Sequence, residues 1–227
     1  MAKLTFCAVS DIHERLDWLR PLAGVLAAAD WVLLLGDLTQ FGHAPQARVV
    51  LDAFRAINPN VLAVPGNLDH PDVLQRLEDE GVSLHGRHRR LGDVGLAGVG
   101  ASGPTPFGTP FELPDASIGE LLAGSLDAIA GARHRIVVSH APPKNTAVDK
   151  VRLGMHVGSA AVRRLAEAHS PDLLLCGHIH EAAGEDRLGA TRVINPGPFV
   201  HGGHVWVEAG DDGLSARLIF PARRSGV

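Results

Sequence analysis

Short apolar runs alternate with longer stretches of helical period along this chain. Leu4 to Val9, Trp31 to Leu35 and Val61 to Val64 read as the first three strands, since short continuous apolar runs fit strands covered on both faces. Between the second and third, Ala47, Val50, Leu51, Phe54 and Ile57 recur at helical spacing behind Pro45, which suits a first turn where its missing N–H costs nothing. Pro21 either starts or kinks a helix between the first two strands. Arg89 to Leu91 and Val94 to Val99 flank Gly92 and Asp93 as a hairpin. Farther on, Ser117 and Glu120 form a capping-box pattern ahead of Leu121, Leu122, Ser125 and Ile129. Ile136 to Ser139 is a strand, Val162, Leu165 and Ala166 line a helix opened near Ser159, and Leu173 to Cys176 is another strand. Thr191 to Ile194, His204 to Glu208 and Leu214 to Phe220 complete the β-structure. The alternation predicts an α/β layered fold. Gly100 to Pro114 is rich in Gly, Pro and Thr but holds Phe107 and Phe111, so it reads as an ordered loop and not as a linker. Residues 1–227 are accordingly read as a single domain, with about 221–227 a frayed tail.

Composition narrows the function classes. Apolar residues are 45% and charged residues 20% of the chain, a globular balance. The longest apolar runs fall far short of the ~20 residues of a membrane span, and Met1 to Ser10 lacks the regions of a signal peptide. A soluble, cytoplasmic protein without a membrane partner is expected. Lys plus Arg number 21 against 25 Asp plus Glu, a net charge of −4, which argues against a binder of long nucleic acid. The basic clusters Arg87 to Arg90 and Arg223 with Arg224 read as a solvated turn and a tail. Cys7 and Cys176 both lie inside apolar runs and are expected as buried, reduced thiols. Thirteen histidines in a chain without tyrosine point to imidazole chemistry.

Five short motifs carry that chemistry, and each begins where an apolar run ends: Asp11-Ile12-His13, Gly36-Asp37, Gly66-Asn67-Leu68-Asp69, Ser139-His140-Ala141-Pro142 and Gly177-His178-Ile179-His180. Taken singly, an Asp-x-His or a Gly-Asp is ordinary capping or turn chemistry. Together, each at a strand end, they converge where open α/β sheets gather ligands. Asp11, His13, Asp37, Asn67, His140, His178 and His180 offer two carboxylates, one amide oxygen and four imidazoles. That set suits Mn, Fe or Zn better than Ca or Mg. Seven ligands exceed the need of one ion and fit two divalent or trivalent metals about 3.5–4 Å apart, joined by a carboxylate. Cys176 continues the apolar run before His178 and is expected in the core, outside the ligand set.

This motif series resembles that of the calcineurin-like metallophosphoesterase superfamily, D-x-H, G-D, G-N-H-[DE], H and G-H-x-H. The Icc-related prokaryotic branch is the most similar, through Gly36 to Gly42, Thr105 to Leu113, His140 to Pro143, His156 to Ser159, Gly177 to Glu181 and Asn195 to Pro198. The resemblance implies a four-layer αββα sandwich of two mixed β-sheets flanked by helices. It also implies one metal held by Asp11, His13, Asp37 and His180 and another by Asp37, Asn67, His140 and His178, with Asp37 as the bridge. The sequence departs from the pattern at Leu68, where the family's histidine contacts phosphate and protonates the leaving oxygen.

The function expected is a dinuclear phosphoesterase working by metal-hydroxide attack on a small phosphoester. With Leu68 unable to donate a proton, phosphodiesters or activated aryl monoesters are the expected substrates. Asp37, Asn67, Asp69 and His156 are the candidate catalytic residues, and Asn67 and His156 also the candidate substrate contacts. His156 stands before Gly158 and Ser159 at a helix start, a place that favours anions. Thr146, Lys150 and Arg152 add donors to the same loop, and His43 and His70 are further free histidines. A non-catalytic scaffold of the same fold and a nuclease are the alternatives, and a homo-oligomer is compatible with the sequence.

Overall fold

The apolar runs become strands in two mixed sheets over residues 3–221, which the computed structural model describes. In chain order the elements are β1 (Leu4–Val9), α1 (Ala23–Ala28), β2 (Trp31–Leu34), α2 (Ala44–Arg55), β3 (Val61–Ala63), α3 (Pro71–Asp79), β4 (Arg87–Leu91) and β5 (Val94–Val99). They continue as α4 (Asp115–Ala128), β6 (His134–Ser139), α5 (Ala160–His169), β7 (Leu173–Leu175), β8 (Gly184–Leu188), β9 (Thr191–Asn195), β10 (His204–Gly210) and β11 (Gly213–Ile219). One sheet runs β11-β10-β1-β2-β3 and the other β4-β5-β6-β7-β9-β8.

The strands bearing the first three motifs, β1, β2 and β3, are parallel neighbours. Those bearing the last two, β6 and β7, are likewise parallel neighbours in the second sheet. Their inner faces meet in one apolar layer, with Phe6, Leu33, Leu35 and Leu62 from the first sheet against Leu96, Ile136, Val138 and Leu175 from the second. Outside, the first sheet is covered by α1, α2 and α3 through Leu26, Leu51, Phe54 and Leu77. The second is covered by α4 and α5 through Ile118, Leu122, Leu126 and Val162. This is a four-layer αββα sandwich. Every motif-bearing strand presents its C-terminal end to the same edge, which brings all five polar segments together.

Three local readings change. The chain from Pro21 forms only the short helix α1 (Ala23–Ala28). Helix α4 begins at Asp115 behind Pro114, so Ser117 lies inside the helix and does not cap it with Glu120. Asp115 instead accepts from Ser159 Oγ at 2.5 Å and Ala161 N at 2.9 Å, and so helps cap α5, whose own N-cap Ser159 accepts from Val162 N at 3.1 Å. Strand β8, with Glu185, Asp186 and Arg187, lies at a sheet edge, where charge discourages pairing with another chain. The expected tail falls beyond Pro221, outside the described residues, as do Arg223 and Arg224. Among the described residues no helix is long and apolar enough to cross a membrane.

Candidate metal centre

The chain enters the site under backbone strain. Asp11, His13, Asp37 and His178 all have positive φ, at 53°, 48°, 49° and 69°, a region that costs a non-glycine residue about 1–3 kcal/mol and is concentrated at functional sites. The turns are held by an extension of strand pairing beyond the sheet: Asp11 N donates to Gly36 O at 3.1 Å and His13 N to Asp37 O at 2.9 Å. The first two motifs are therefore fixed to each other through the main chain. Two motif glycines keep space for the carboxylates. A Cβ on Gly66 would fall on the carboxylate of Asp37, and one on Gly177 would meet Ser10 Oγ and Asp11 Oδ2.

Two clusters of candidate ligands result. Asp11, His13 and His180 form one, and Asp11, Asp37 and His140 the other, with the ligand atoms of each within 4.8 Å of one another. In the first, His13 Nε2 lies 3.2 Å from His180 Nε2, and His180 Nε2 lies 3.4 Å from Asp11 Oδ1. Asp11 belongs to both clusters, and Asp37 Oδ2 of the second reaches toward the first, 3.9 Å from His13 Nε2 and 3.5 Å from His140 Nε2. Asn67 Oδ1 is 3.0 Å from His140 Nε2. The His178 ring packs edge-on to that of His140 at 5.1 Å between centroids, and its backbone N donates to Asp11. All seven residues are thus gathered at one place.

The donor set asks for positive charge. His140 Nδ1 donates to Leu35 O at 2.9 Å, so Nε2 is the atom turned to Asn67 Oδ1 and Asp37 Oδ2. Asn67 is oriented by a relay: Thr109 Oγ1 donates to Glu112 Oε1 at 2.7 Å and so accepts from Asn67 Nδ2 at 3.0 Å. That leaves the amide oxygen facing the imidazole nitrogen. An oxygen lone pair and a nitrogen lone pair at 3.0 Å need a proton or a cation between them. Titration carries the same sign. Burial disfavours a charged His140, yet the carboxylates of Asp37 and Asp11 push it up to about 9. Burial likewise opposes ionisation of Asp11, but the bond and charge of His180, with His140 and His13, hold its carboxyl well below the usual range. Burial and the neighbouring charge on His140 push His178 down to about 4. His13 Nδ1 is buried without a hydrogen-bond partner. The residues fit a pair of metal ions.

The remaining candidates fall differently. Both oxygens of Asp69 are occupied: it accepts from Leu38 N at 3.1 Å, Thr39 N at 2.8 Å, Thr39 Oγ1 at 2.7 Å and Gly66 N at 2.8 Å. It staples the loop after Asp37 to the loop before Asn67, which makes it a positioning residue. Burial and the charge of Asp37 push its carboxyl up to about 6. His156 Nδ1 lies 2.6 Å from Oδ1 of the buried Asp149, which also takes donors from Asn145 N, Thr146 N and Gly158 N. His43 and His70 stack at 3.9 Å, and His43 pairs with Asp72. Leu68 turns its backbone N to Asp37 Oδ1 at 2.8 Å, so the main chain at this position supports a ligand that its side chain cannot assist. Cys176 is buried, with Sγ directed at Ile194 O at 3.6 Å, and burial raises its thiol well above the usual range.

Two groups were missed in the sequence. Asp149 stands three residues after Thr146 in a capping-box arrangement, a signal the pattern Thr-x-x-Asp could have given. The second is a cleft of about 400 Å³ beside Asp11, His13 and His180, whose far wall includes Arg15, Gln40 and His201.

Comparisons with known proteins bear on the family and the fold. An uncharacterized protein of Methanocaldococcus jannaschii is 33% identical over 176 residues, which cover 75% of this chain and 78% of that protein. A structure from Thermus thermophilus superposes with a TM-score of 0.70 at 18% identity over 96% of this chain and 99% of its own. A dimetal phosphatase from Danio rerio superposes with a TM-score of 0.61 at 13% identity over 96% and 99%. At such identities the two structures speak for the fold alone. A sequence model of the calcineurin-like phosphoesterase family matches residues 4–182, a span that runs from β1 through the last motif histidine and holds all seven candidate ligands; the chain belongs to that family.

Proposed function

We propose that this protein is a phosphoester hydrolase with one metal ion held by Asp11, His13, Asp37 and His180 and a second by Asp37, Asn67, His140 and His178. The observation that carries this reading is the place of Asp37 Oδ2 between His13 and His140, where one carboxylate can serve both ions. The nitrogen and oxygen donors favour Mn or Fe, with Zn as an alternative. When bound, such a pair polarises a phosphoryl oxygen and generates a water-derived nucleophile near neutral pH. The chain's own part is to hold the ligands rigid, through Asp69 at the loops after β2 and β3 and through Thr109 and Glu112 at Asn67.

Without a histidine at position 68, the proton for the leaving oxygen has to come from elsewhere. His156 is our candidate. Asp149 fixes its Nδ1 and leaves Nε2 for proton transfer, the arrangement by which a carboxylate sets a catalytic imidazole's tautomer. Its loop is anchored beside two ligand segments: Ser159 N donates to Pro142 O at 2.8 Å, two residues after His140, and Arg152 N donates to Glu181 Oε1 at 3.1 Å, one residue after His180. Phosphodiesters and activated monoesters are the substrates we expect, in a cytoplasmic setting.

Hydrolysis of bis-p-nitrophenyl phosphate with added manganese, alongside an alkyl monoester, tests this function. Manganese-dependent turnover favouring the activated diester is expected. Two bound metals with no turnover would favour the scaffold reading. In the same assay His156→Ala should keep both metals and lose kcat by roughly 10²-fold, the scale of a general acid, with a larger loss for poorer leaving groups.

A further inference from the structure

We infer that Arg15, Gln40 and His201 form a subsite for the organic group that stays on phosphorus, and that this group is bulky, uncharged and hydrogen-bonding. The inference rests on the hydrolase reading above and adds its substrate class. The cleft of about 400 Å³ opens directly on Asp11, His13 and His180. It is far larger than a phosphate and within the range of small-molecule sites, about 300–1,000 Å³. Phosphate at the metal ligands would leave the part lined by Arg15, Gln40 and His201 unfilled. With the leaving oxygen assigned to the His156 loop, the cleft falls to the other substituent of a diester.

Its walls define the chemistry of that substituent. Pro198 and Val200 supply an apolar face beside the polar groups. The side-chain amide of Gln40 and the ring of His201 have no hydrogen-bond partner among the described residues, so both can serve a ligand. The charge of Arg15 is offset by Asp17, 3.1 Å from its Nε, so the cleft carries little excess charge to attract a second phosphate. The wall that bears His201 is rigid. Phe199 N donates to Ser10 O at 2.9 Å and Asp11 O at 3.2 Å, the Phe199 ring is buried against Phe54 at 5.5 Å, and Trp18 Nε1 donates to Val200 O at 2.9 Å. The segment carrying His201 is therefore fastened to the backbone of Asp11, and a ligand meets it without reorganisation.

Thymidine 5′-(p-nitrophenyl) phosphate and methyl p-nitrophenyl phosphate release the same leaving group and differ only in the group that remains. We expect kcat/KM to favour the thymidine ester by at least roughly 10-fold, the worth of one or two well-placed hydrogen bonds. His201→Ala and Gln40→Ala should each reduce that ratio several-fold, mainly through KM. A binding arm stands apart from turnover: by calorimetry, thymidine 5′-monophosphate should bind more tightly than methyl phosphate to the wild-type protein, and His201→Ala should narrow the difference. Equal binding of the two phosphates, or ratios unmoved in both variants, would overturn the subsite. Hydrolysis of neither ester would overturn the hydrolase reading, while calorimetry would still decide the cleft.

Discussion

His140 and Asn67 are 0% and 4% exposed, and each has its remaining polar group committed, to Leu35 O and to Thr109. Across Asp37, the side chain of His180 is 44% exposed, and His13 leaves Nδ1 without a hydrogen-bond partner. One half of the centre is thus sealed and held by neighbours outside the candidate ligand set. The other half borders the cleft. Orienting partners of this kind strengthen and shape a metal site nearly as much as the ligands do. The difference teaches where each task can be done: the sealed half fixes geometry, and the open half is the one that faces the cleft, where the proposed function would place the substrate.

The largest effect should come from breaking the join between the halves without touching a ligand. In Gly66→Ala the added methyl occupies the place of the Asp37 carboxylate. That carboxylate and the Asp37 main chain must both move, and activity should fall by at least about 10²-fold, the cost of a misplacement of roughly 1 Å. Both metals should be weakened together, as elemental analysis will show. Retention of both metals and full activity would mean that Asp37 is not held as described.

Removing one histidine from each half should separate them next. His140→Ala opens a cavity and strands the buried Leu35 carbonyl, so it should cost about 3 kcal/mol of stability besides a metal. His180→Ala should lose a metal while changing stability by less than about 1 kcal/mol, as for most exposed positions. Urea unfolding of the metal-free proteins measures both. Equal losses would remove the distinction between the halves.

A smaller effect reaches the sealed half through its brace. His85 Nδ1 accepts from Gly100 N at 2.9 Å at the start of the loop that carries Thr109, and burial pushes its pKa from 6.5 down to about 4. The folded state holds this imidazole neutral, whereas the unfolded chain takes up a proton below pH 6.5. Stability should therefore fall as the pH drops from about 6.5 to about 4, by up to about 3 kcal/mol from this group. Urea midpoints at about pH 7 and about pH 5, for wild type and His85→Gln, measure it. A slope that survives unchanged in the variant belongs to other groups.

The two halves also differ in how readily the sequence reveals them. All seven candidate ligands could be found because each follows an apolar run that the fold turns into a strand, or stands two residues farther on. The order of the five segments was enough to place them at one edge. Asp69 was legible as a functional carboxylate but not as a staple, since its partners are mostly backbone N–H groups that leave no pattern in side-chain chemistry. Asp149 also binds mostly backbone N–H groups, and only its capping-box spacing from Thr146 could have marked it. The cleft was hidden because Arg15 and His201 meet only after β1 and the segment before β10 are joined in space. In the fold, β8 escaped notice because an edge strand can be charged on both faces, and the start of α4 was displaced because Asp115 caps a different helix from its own.

The central claim is that Asp37 serves both metals. Elemental analysis of the manganese-loaded, purified protein tests it most directly, with circular dichroism to confirm that each sample is folded. The account predicts two equivalents of metal in the wild-type protein and fewer than one in Asp37→Ala, because two cations without the carboxylate between them repel. Two equivalents retained in folded Asp37→Ala would contradict it.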